Sequence, residues 1–239
     1  EGTFAAGTSP ITWTTSATNP TNNPYTITGK LIAGNSYVLK ETTPAPGYTK
    51  AADRYLKVDE NGKLYQSSAG EDQTWTLVTN KALTVTDTQT TITLNKVNDA
   101  ATPAALTGAT FTVTGTFADT STSLTMLSGA ASQAVTGKFI VGNTYTFTES
   151  TSPALYKTMQ PFAVKVNNDG TLTLIDTTRT DVTVSGSTIT AKNISLHAGM
   201  TLSKLDDTDN SALTAGKTTF NLTGPASFNG GTAKQMTTD

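Results

Sequence analysis

Six residues of three types carry the reactive chemistry of this chain: Lys96, Glu149 and Asn193, and again Lys204, Glu41 and Asn80. A β-strand sends alternate side chains to opposite faces. Tyr37, Leu39 and Glu41 therefore share one face, as do Tyr145, Phe147 and Glu149. Ile92, Leu94 and Lys96 share another, as do Met200, Leu202 and Lys204, then Ile189, Ala191 and Asn193, and finally Val78 and Asn80. The apolar members mark each face as the buried one, and a charge on a buried face is costly unless neutralised or partnered. Burial lowers the pKa of a lysine and raises that of a glutamate. A neutral lysine amine is a nucleophile. A protonated glutamate can hydrogen-bond an asparagine amide, polarise its carbonyl and shuttle the proton. The amine attacks, ammonia leaves, and an amide joins two strands, which removes the buried charge. The competing reading is a buried ion pair, or strand-end positions displaced by one residue. Recurrence of all three residue types in two copies favours the reactive reading.

The elements that must hold these residues are repeated. Tyr37-Val38-Leu39-Lys40-Glu41-Thr42-Thr43-Pro44-Ala45-Pro46-Gly47-Tyr48 is echoed 108 residues later by the stretch from Tyr145 to Tyr156. Each copy follows a Gly-Asn pair, Gly34-Asn35 and Gly142-Asn143, and each leads to a glycine turn at Gly62 or Gly170. Lys96 and Lys204 keep the same offset of 108. Such self-similarity is the mark of a repeat architecture.

Composition points to an extracellular all-β chain. Threonine exceeds a fifth of the residues, and its β-branched side chain suits exposed strand faces. Runs such as Thr110-Phe111-Thr112-Val113-Thr114 alternate strictly, and turns are marked at Pro46-Gly47, Asn61-Gly62 and Asp169-Gly170. No stretch has helical periodicity. There is no cysteine, so disulfides cannot staple the fold and the amides would serve instead. A net charge of −2 leaves no nucleic-acid footprint, and no apolar run is long enough to span a membrane. His197 is the only histidine, which leaves a catalytic triad or histidine metal site unsupported. Asp206-Asp207-Thr208-Asp209-Asn210 lacks the glycine and terminal glutamate of a calcium loop and reads as a solvated turn. No cofactor and no metal is expected. Trp13 and Trp75 read as core or edge packing, with a binding face as the alternative.

These residues resemble the B-type repeat domains of collagen-binding adhesins and major pilins of Gram-positive bacteria. The resemblance rests on Lys96 before a turn, on Leu106-Thr107-Gly108-Ala109-Thr110-Phe111, on the box ending at Tyr48, on a degraded box ending at Tyr156 with Leu155 for glycine, and on Thr79-Asn80-Lys81 and Lys192-Asn193-Ile194. It implies tandem immunoglobulin-like or prealbumin-like β-sandwiches arranged end to end, with spontaneous intramolecular isopeptide bonds. Lys96 and Lys204 would be the amines, Asn193 and Asn80 the acceptors, and Glu149 and Glu41 the promoting acids.

Three parts are expected. Residues 85–195 hold a complete set, Lys96, Glu149 and Asn193. Residues 1–84 hold Glu41 and Asn80 without a lysine strand, and residues 196–239 hold the Lys204 strand alone. Joined tail to head, from Met236–Asp239 into Glu1–Phe4, the two partial domains make one whole, with an insertion near Pro10 to Pro24. The expected partner is therefore the chain itself, as a head-to-tail homopolymer or as one window of a tandem polypeptide. A fragment with ragged ends is the competing reading. The favoured function is a cell-surface filament, pilus or stalk part, with no enzyme activity beyond its own cross-linking. The alternative is an adhesin module that binds a host protein or glycan through the insertion around Trp13 and Tyr25.

Overall fold

The structure is a computed structural model, and it describes residues 10–15, 24–68, 74–196, 199–212, 218–224 and 233–238. His197 and the Glu1–Phe4 side of the expected tail-to-head passage lie outside the described residues. The chain divides into two compact units, Glu1–Leu196 and His197–Asp239. The described residues form strands and turns, with one short 3₁₀ segment at Thr79–Lys81.

The sandwich lies within the first unit. Its strands are β5 (Thr91–Val97), β6 (Thr110–Thr114), β7 (Ser123–Leu127), β8 (Gln133–Thr136), β9 (Thr144–Thr151), β10 (Phe162–Val166), β11 (Leu172–Leu174), β12 (Val182–Ser185) and β13 (Thr188–Lys192). One sheet runs β11-β10-β9-β6-β7 and the other β12-β13-β5-β8. Only the pairing of β13 with β5 is parallel, so the first and last strands lie side by side. Alternation builds the core. Ile92 and Leu94 of β5, Phe111 and Val113 of β6, Tyr145 and Phe147 of β9, Val164 and Val166 of β10, and Ile189 and Ala191 of β13 are all buried. Phe147 stacks on Phe162 at 5.1 Å between ring centroids, and Phe117, Phe139 and Tyr145 cluster at the other end. Threonines fill the outward positions.

Ahead of the sandwich, β1 (Ser36–Leu39), β2 (Arg54–Val58), β3 (Leu64–Ser67) and β4 (Thr76–Leu77) form an antiparallel sheet in that order. The sequence repeat holds down to single hydrogen bonds. Gly34 donates to Val58 O as Gly142 donates to Val166 O. Ile32 N–H donates to the Tyr37 hydroxyl at 2.7 Å, as Ile140 N–H does to the Tyr145 hydroxyl at 2.8 Å. The burial differs. Tyr145, Phe147 and Glu149 are all buried, whereas of Tyr37, Leu39 and Glu41 only Tyr37 is. In the sandwich, β9 is flanked by β6 as well as β10. Among the described residues β1 pairs on one side only, so this face is half covered.

This sheet is tied to the sandwich through the Pro46-Gly47-Tyr48 turn. Thr49 N–H donates to Thr88 O, Thr90 N–H to Gly47 O and Lys50 N–H to Asn168 O, all within 2.9 Å. Thr90 is buried, with its hydroxyl 2.6 Å from Phe139 O.

In the second unit, Leu205 bridges Ala212, as Val97 bridges Ala105 in the sandwich. β14 (Thr218–Leu222) and β15 (Lys234–Thr238) form a hairpin with Phe220 opposite Met236, the counterpart of Phe111 opposite Met126 on β6 and β7.

Candidate functional site

Lys96, Glu149 and Asn193 meet in the sandwich interior. Alternation along β5, with every second residue buried, carries Lys96 inward after Ile92 and Leu94. The same alternation carries Glu149 inward on β9. Asn193 follows β13, held by its own N–H donating to Val97 O at 3.0 Å. The parallel register sets Ala191 opposite Lys96. The two lie on neighbouring strands of one sheet, and Glu149 reaches them from the facing sheet.

The geometry is that of a charge pair around an amide. Lys96 Nζ lies 3.9 Å from Glu149 Oε1, and both side chains are fully buried. The amine also donates to Ala191 O at 3.1 Å. Asn193 Nδ2 donates to Glu149 Oε1 at 2.9 Å and to Oε2 at 3.1 Å. Met159 N–H donates to Oε2 at 2.8 Å, which fixes the carboxyl. Asn193 Oδ1 is buried and has no hydrogen-bond partner among the described residues. A buried acceptor without a donor costs about 1–3 kcal/mol.

Burial pushes the Lys96 amine down from 10.5 to about 8, against the opposing pull of Glu149 and, more weakly, Asp181. Transfer of one proton from ammonium to carboxylate would leave a neutral amine beside a carboxylic acid. Half a turn of the Asn193 amide then places Oδ1 at the carboxyl, where the acid donates to it. The orphaned acceptor would then be satisfied, and the amide carbon would become more electrophilic toward the buried amine.

Two contributors are invisible in the sequence alternation. Asp181 lies just outside β12, where no parity rule reaches it. It takes a bidentate pair from Arg179 at 2.8 and 2.6 Å. Arg179 also donates to Gln160 O and Pro161 O, clamping the segment that carries Met159. The Met159 amide is a backbone group and leaves no mark in side-chain type.

The lysine shift predicts a pH dependence. Between about 8 and 10.5 the unfolded chain holds a proton that the folded chain has released. Stability of an uncross-linked form must then rise with pH across that window. Asn193→Ala, which keeps the lysine but removes the acceptor, should gain roughly 2 kcal/mol between pH 8 and pH 9.5 in urea unfolding. A flat or falling profile would contradict it.

The second set is arranged differently. Glu41 matches Glu149, since Ala51 N–H donates to Glu41 Oε2 at 2.7 Å just as Met159 does 108 residues later. Asn80 departs from the expectation of an inward strand position, because it is exposed. It occupies, with Lys81, the two central positions of a turn closed by Ala82 N–H donating to Thr79 O. Both residues have positive φ, 54° and 55°, the conformation of a two-residue type I′ hairpin, which asparagine tolerates well. Tight-turn geometry overrides strand parity there. Lys204 is exposed in the second unit, in an extended stretch with no strand pairing before the Leu205 bridge. Asp206 and Asp209 act as turn acceptors, from Thr208 N–H at 2.8 Å and Ser211 N–H at 2.9 Å, and no metal-binding cluster occurs among the described residues.

A family model agrees with the fold of the sandwich. Residues 90–192 match the family model described as the SpaA prealbumin-like fold domain. The pilus adhesin SpaC from Lactobacillus rhamnosus GG, in its open conformation, is 20% identical with a TM-score of 0.37, over 73% of this chain and 26% of that one. A C-terminal fragment of the same adhesin is 19% identical with a TM-score of 0.36, over 72% of this chain and 80% of the fragment. No curated protein matches the chain. The sandwich that holds Lys96, Glu149 and Asn193 has a prealbumin-like fold, matched over residues 90–192 by the SpaA prealbumin-like fold domain model.

Proposed function

We propose that this chain is a structural part of a cell-surface filament, pilus or adhesin stalk, hardened by autocatalytic Lys–Asn isopeptide bonds. The observation that carries the reading is the buried trio of Lys96, Glu149 and Asn193 between the first and last strands, with Asn193 Oδ1 unpartnered. A buried ion pair alone is weak support for stability, whereas an amide removes the charges and binds β5 to β13. Tension entering at one end of the sandwich then passes to the other without unravelling the strands between. The SpaA family match of the sandwich supports the same role. Lys204 and Glu41, each 108 residues from its counterpart Lys96 or Glu149, belong to further cross-links of the same kind at the extracellular surface.

The test is mass. The intact protein should be lighter than its sequence by one ammonia for the central bond, with a branched peptide joining Lys96 to Asn193 after digestion. A full sequence mass across residues 89–195 would refute the bond.

A second reading, an adhesin module, is favoured by one observation. Trp13 and Tyr25 stack at 4.8 Å with rings 8° apart, and Tyr25 is exposed. Such a pair could receive a sugar face or an apolar host residue.

A further inference from the structure

Resting on the cross-link reading above, we propose that Arg179 is a positioning residue for the bond between Lys96 and Asn193. It acts through the Met159 amide on Glu149 and through Asp181 on Lys96, the two groups that must exchange a proton.

No strand ladder holds the backbone that presents the Met159 amide. Segment 157–161 runs between the second glutamate box and β10, outside any strand. It ends in Pro161, which has no N–H to give. Lys157 N–H ties its start to Ile194 O at 2.9 Å. Its far end is held by a side chain. Arg179 Nη1 donates to Gln160 O at 3.0 Å and to Pro161 O at 2.7 Å. Between these ties, Met159 N–H meets Glu149 Oε2 at 2.8 Å. Irregular backbone keeps so short a contact only where its neighbours are fixed, because a free segment regains conformational entropy by leaving it.

The guanidinium is locked in turn. Nε donates to Asp181 Oδ1 at 2.8 Å and Nη2 to Oδ2 at 2.6 Å, a bidentate fork. Its central carbon lies 5.9 Å from the centre of the Phe162 ring, which is buried against Phe147. Only 12% of the Arg179 side chain is exposed. The compact ammonium of a lysine cannot reach four acceptors spread around this plane.

Asp181 links the clamp to the amine. Its carbonyl accepts from Lys192 N–H at 2.8 Å, and Val182 pairs with Ala191, whose own carbonyl accepts from Lys96 Nζ. The carboxylate at this strand end therefore favours the charged form of Lys96. The other charge acting on the amine is Glu149 of β9, while β13 sets neutral Ala191 and Asn193 beside it and carries Lys192 at an outward position. A bare Asp181 would oppose the transfer of a proton from Lys96 to Glu149. Arg179 offsets that charge by drawing it into its own pair.

The bond itself forms as proposed above. The Lys96 nitrogen joins Asn193 Cγ, the bond from Cγ to Nδ2 breaks, and Nδ2 leaves as ammonia with a proton taken from the attacking amine by way of Glu149. Lys96 and Glu149 share one proton in the reactive range, so the rate is level with pH there and falls where the pair loses that proton. An uncompensated Asp181 keeps the proton on Lys96. That lowers the level rate and moves the alkaline fall to higher pH.

The test follows the loss of one ammonia by intact mass, after the full-length chain is recovered unfolded in urea and diluted into buffers from acid to alkaline. Arg179→Gln should cross-link roughly ten- to a hundredfold more slowly than wild type, with its alkaline fall at higher pH. Adding Asp181→Asn should bring the fall back to the wild-type pH or below it, while the rate stays low because the ties to Gln160 and Pro161 remain broken. Arg179→Lys keeps a cation beside Asp181 without those ties, so it should be slow with the fall unmoved, and it carries the test if Arg179→Gln does not fold. An Arg179→Gln or Arg179→Lys chain that cross-links at the wild-type rate would overturn the role. A slow Arg179→Gln whose alkaline fall stays in place would reduce Arg179 to a structural part and overturn it as well. Wild type that keeps its full mass would sink the cross-link and this role together, whereas ammonia lost equally fast by every chain sinks the role of Arg179 alone.

Discussion

Glu149→Ala is expected to yield a folded protein that retains the full sequence mass in the sandwich and melts roughly 20 °C or more below wild type. A bond between residues 96 and 193 closes a loop of nearly the whole domain. By the chain-entropy model for disulfides, a loop of about 100 residues removes about 4–5 kcal/mol of unfolded-state entropy. For a domain of this size each kilocalorie per mole is worth about 4–8 °C. Part of the loss in Glu149→Ala comes from stranding the Lys96 charge. Lys96→Met separates the two effects, because it leaves no buried charge and also forms no amide. Both variants should melt well below wild type and be cut faster by protease. If Glu149→Ala still lacks one ammonia, the carboxyl is not the promoter. If Lys96→Met melts as high as wild type, no covalent loop was stabilising the fold.

Gly47→Ala is expected to loosen the joint between the N-terminal sheet and the sandwich, at a cost on the order of 3 kcal/mol. Gly47 has φ of +85°, and a Cβ there would fall 2.4 Å from Gly137 O and 3.1 Å from Ala118 Cβ. The obstacle is backbone, so nothing flexible can yield. Thr90 N–H and Thr49 N–H, which donate to Gly47 O and Thr88 O, would lose their partners. Hydrogen exchange at those two amides should accelerate by at least tenfold while Lys96 and Val113 amides in the sandwich stay protected. Unchanged exchange at Thr49 and Thr90 would show that the turn adapts. On the proposed filament reading a rigid joint matters, because a slack one would take up extension before the sandwich bears load.

Much of this protein was legible in one dimension because its strands alternate strictly. Period 2 is a local property, and a buried face writes itself into every second residue. That was enough to place Lys96, Glu149 and Asn193 inward, since each ends a run whose preceding members, Ile92 and Leu94, Tyr145 and Phe147, Ile189 and Ala191, are unambiguous. The 108-residue repeat was legible for the same reason, and it extends to single hydrogen bonds at Gly34 and Gly142.

Parity fails where the backbone leaves the strand. Asn80 follows Val78 at the right spacing, yet positive φ at Asn80 and Lys81 turns the chain there. No side-chain pattern announces a two-residue turn formed by Asn-Lys, because its usual glycine is absent. Asp181 and the Met159 amide were hidden for a related reason, as one lies beyond a strand end and the other is backbone. The sequence alone determined which residue types would be buried on which strands, through a rule acting between neighbours one and two positions apart. Only the tertiary structure decided which of those strands lie side by side and which face each other. It set β13 parallel to β5 and brought Glu149 across from the opposite sheet, because pairing and sheet packing join residues about a hundred positions apart that no local periodicity connects.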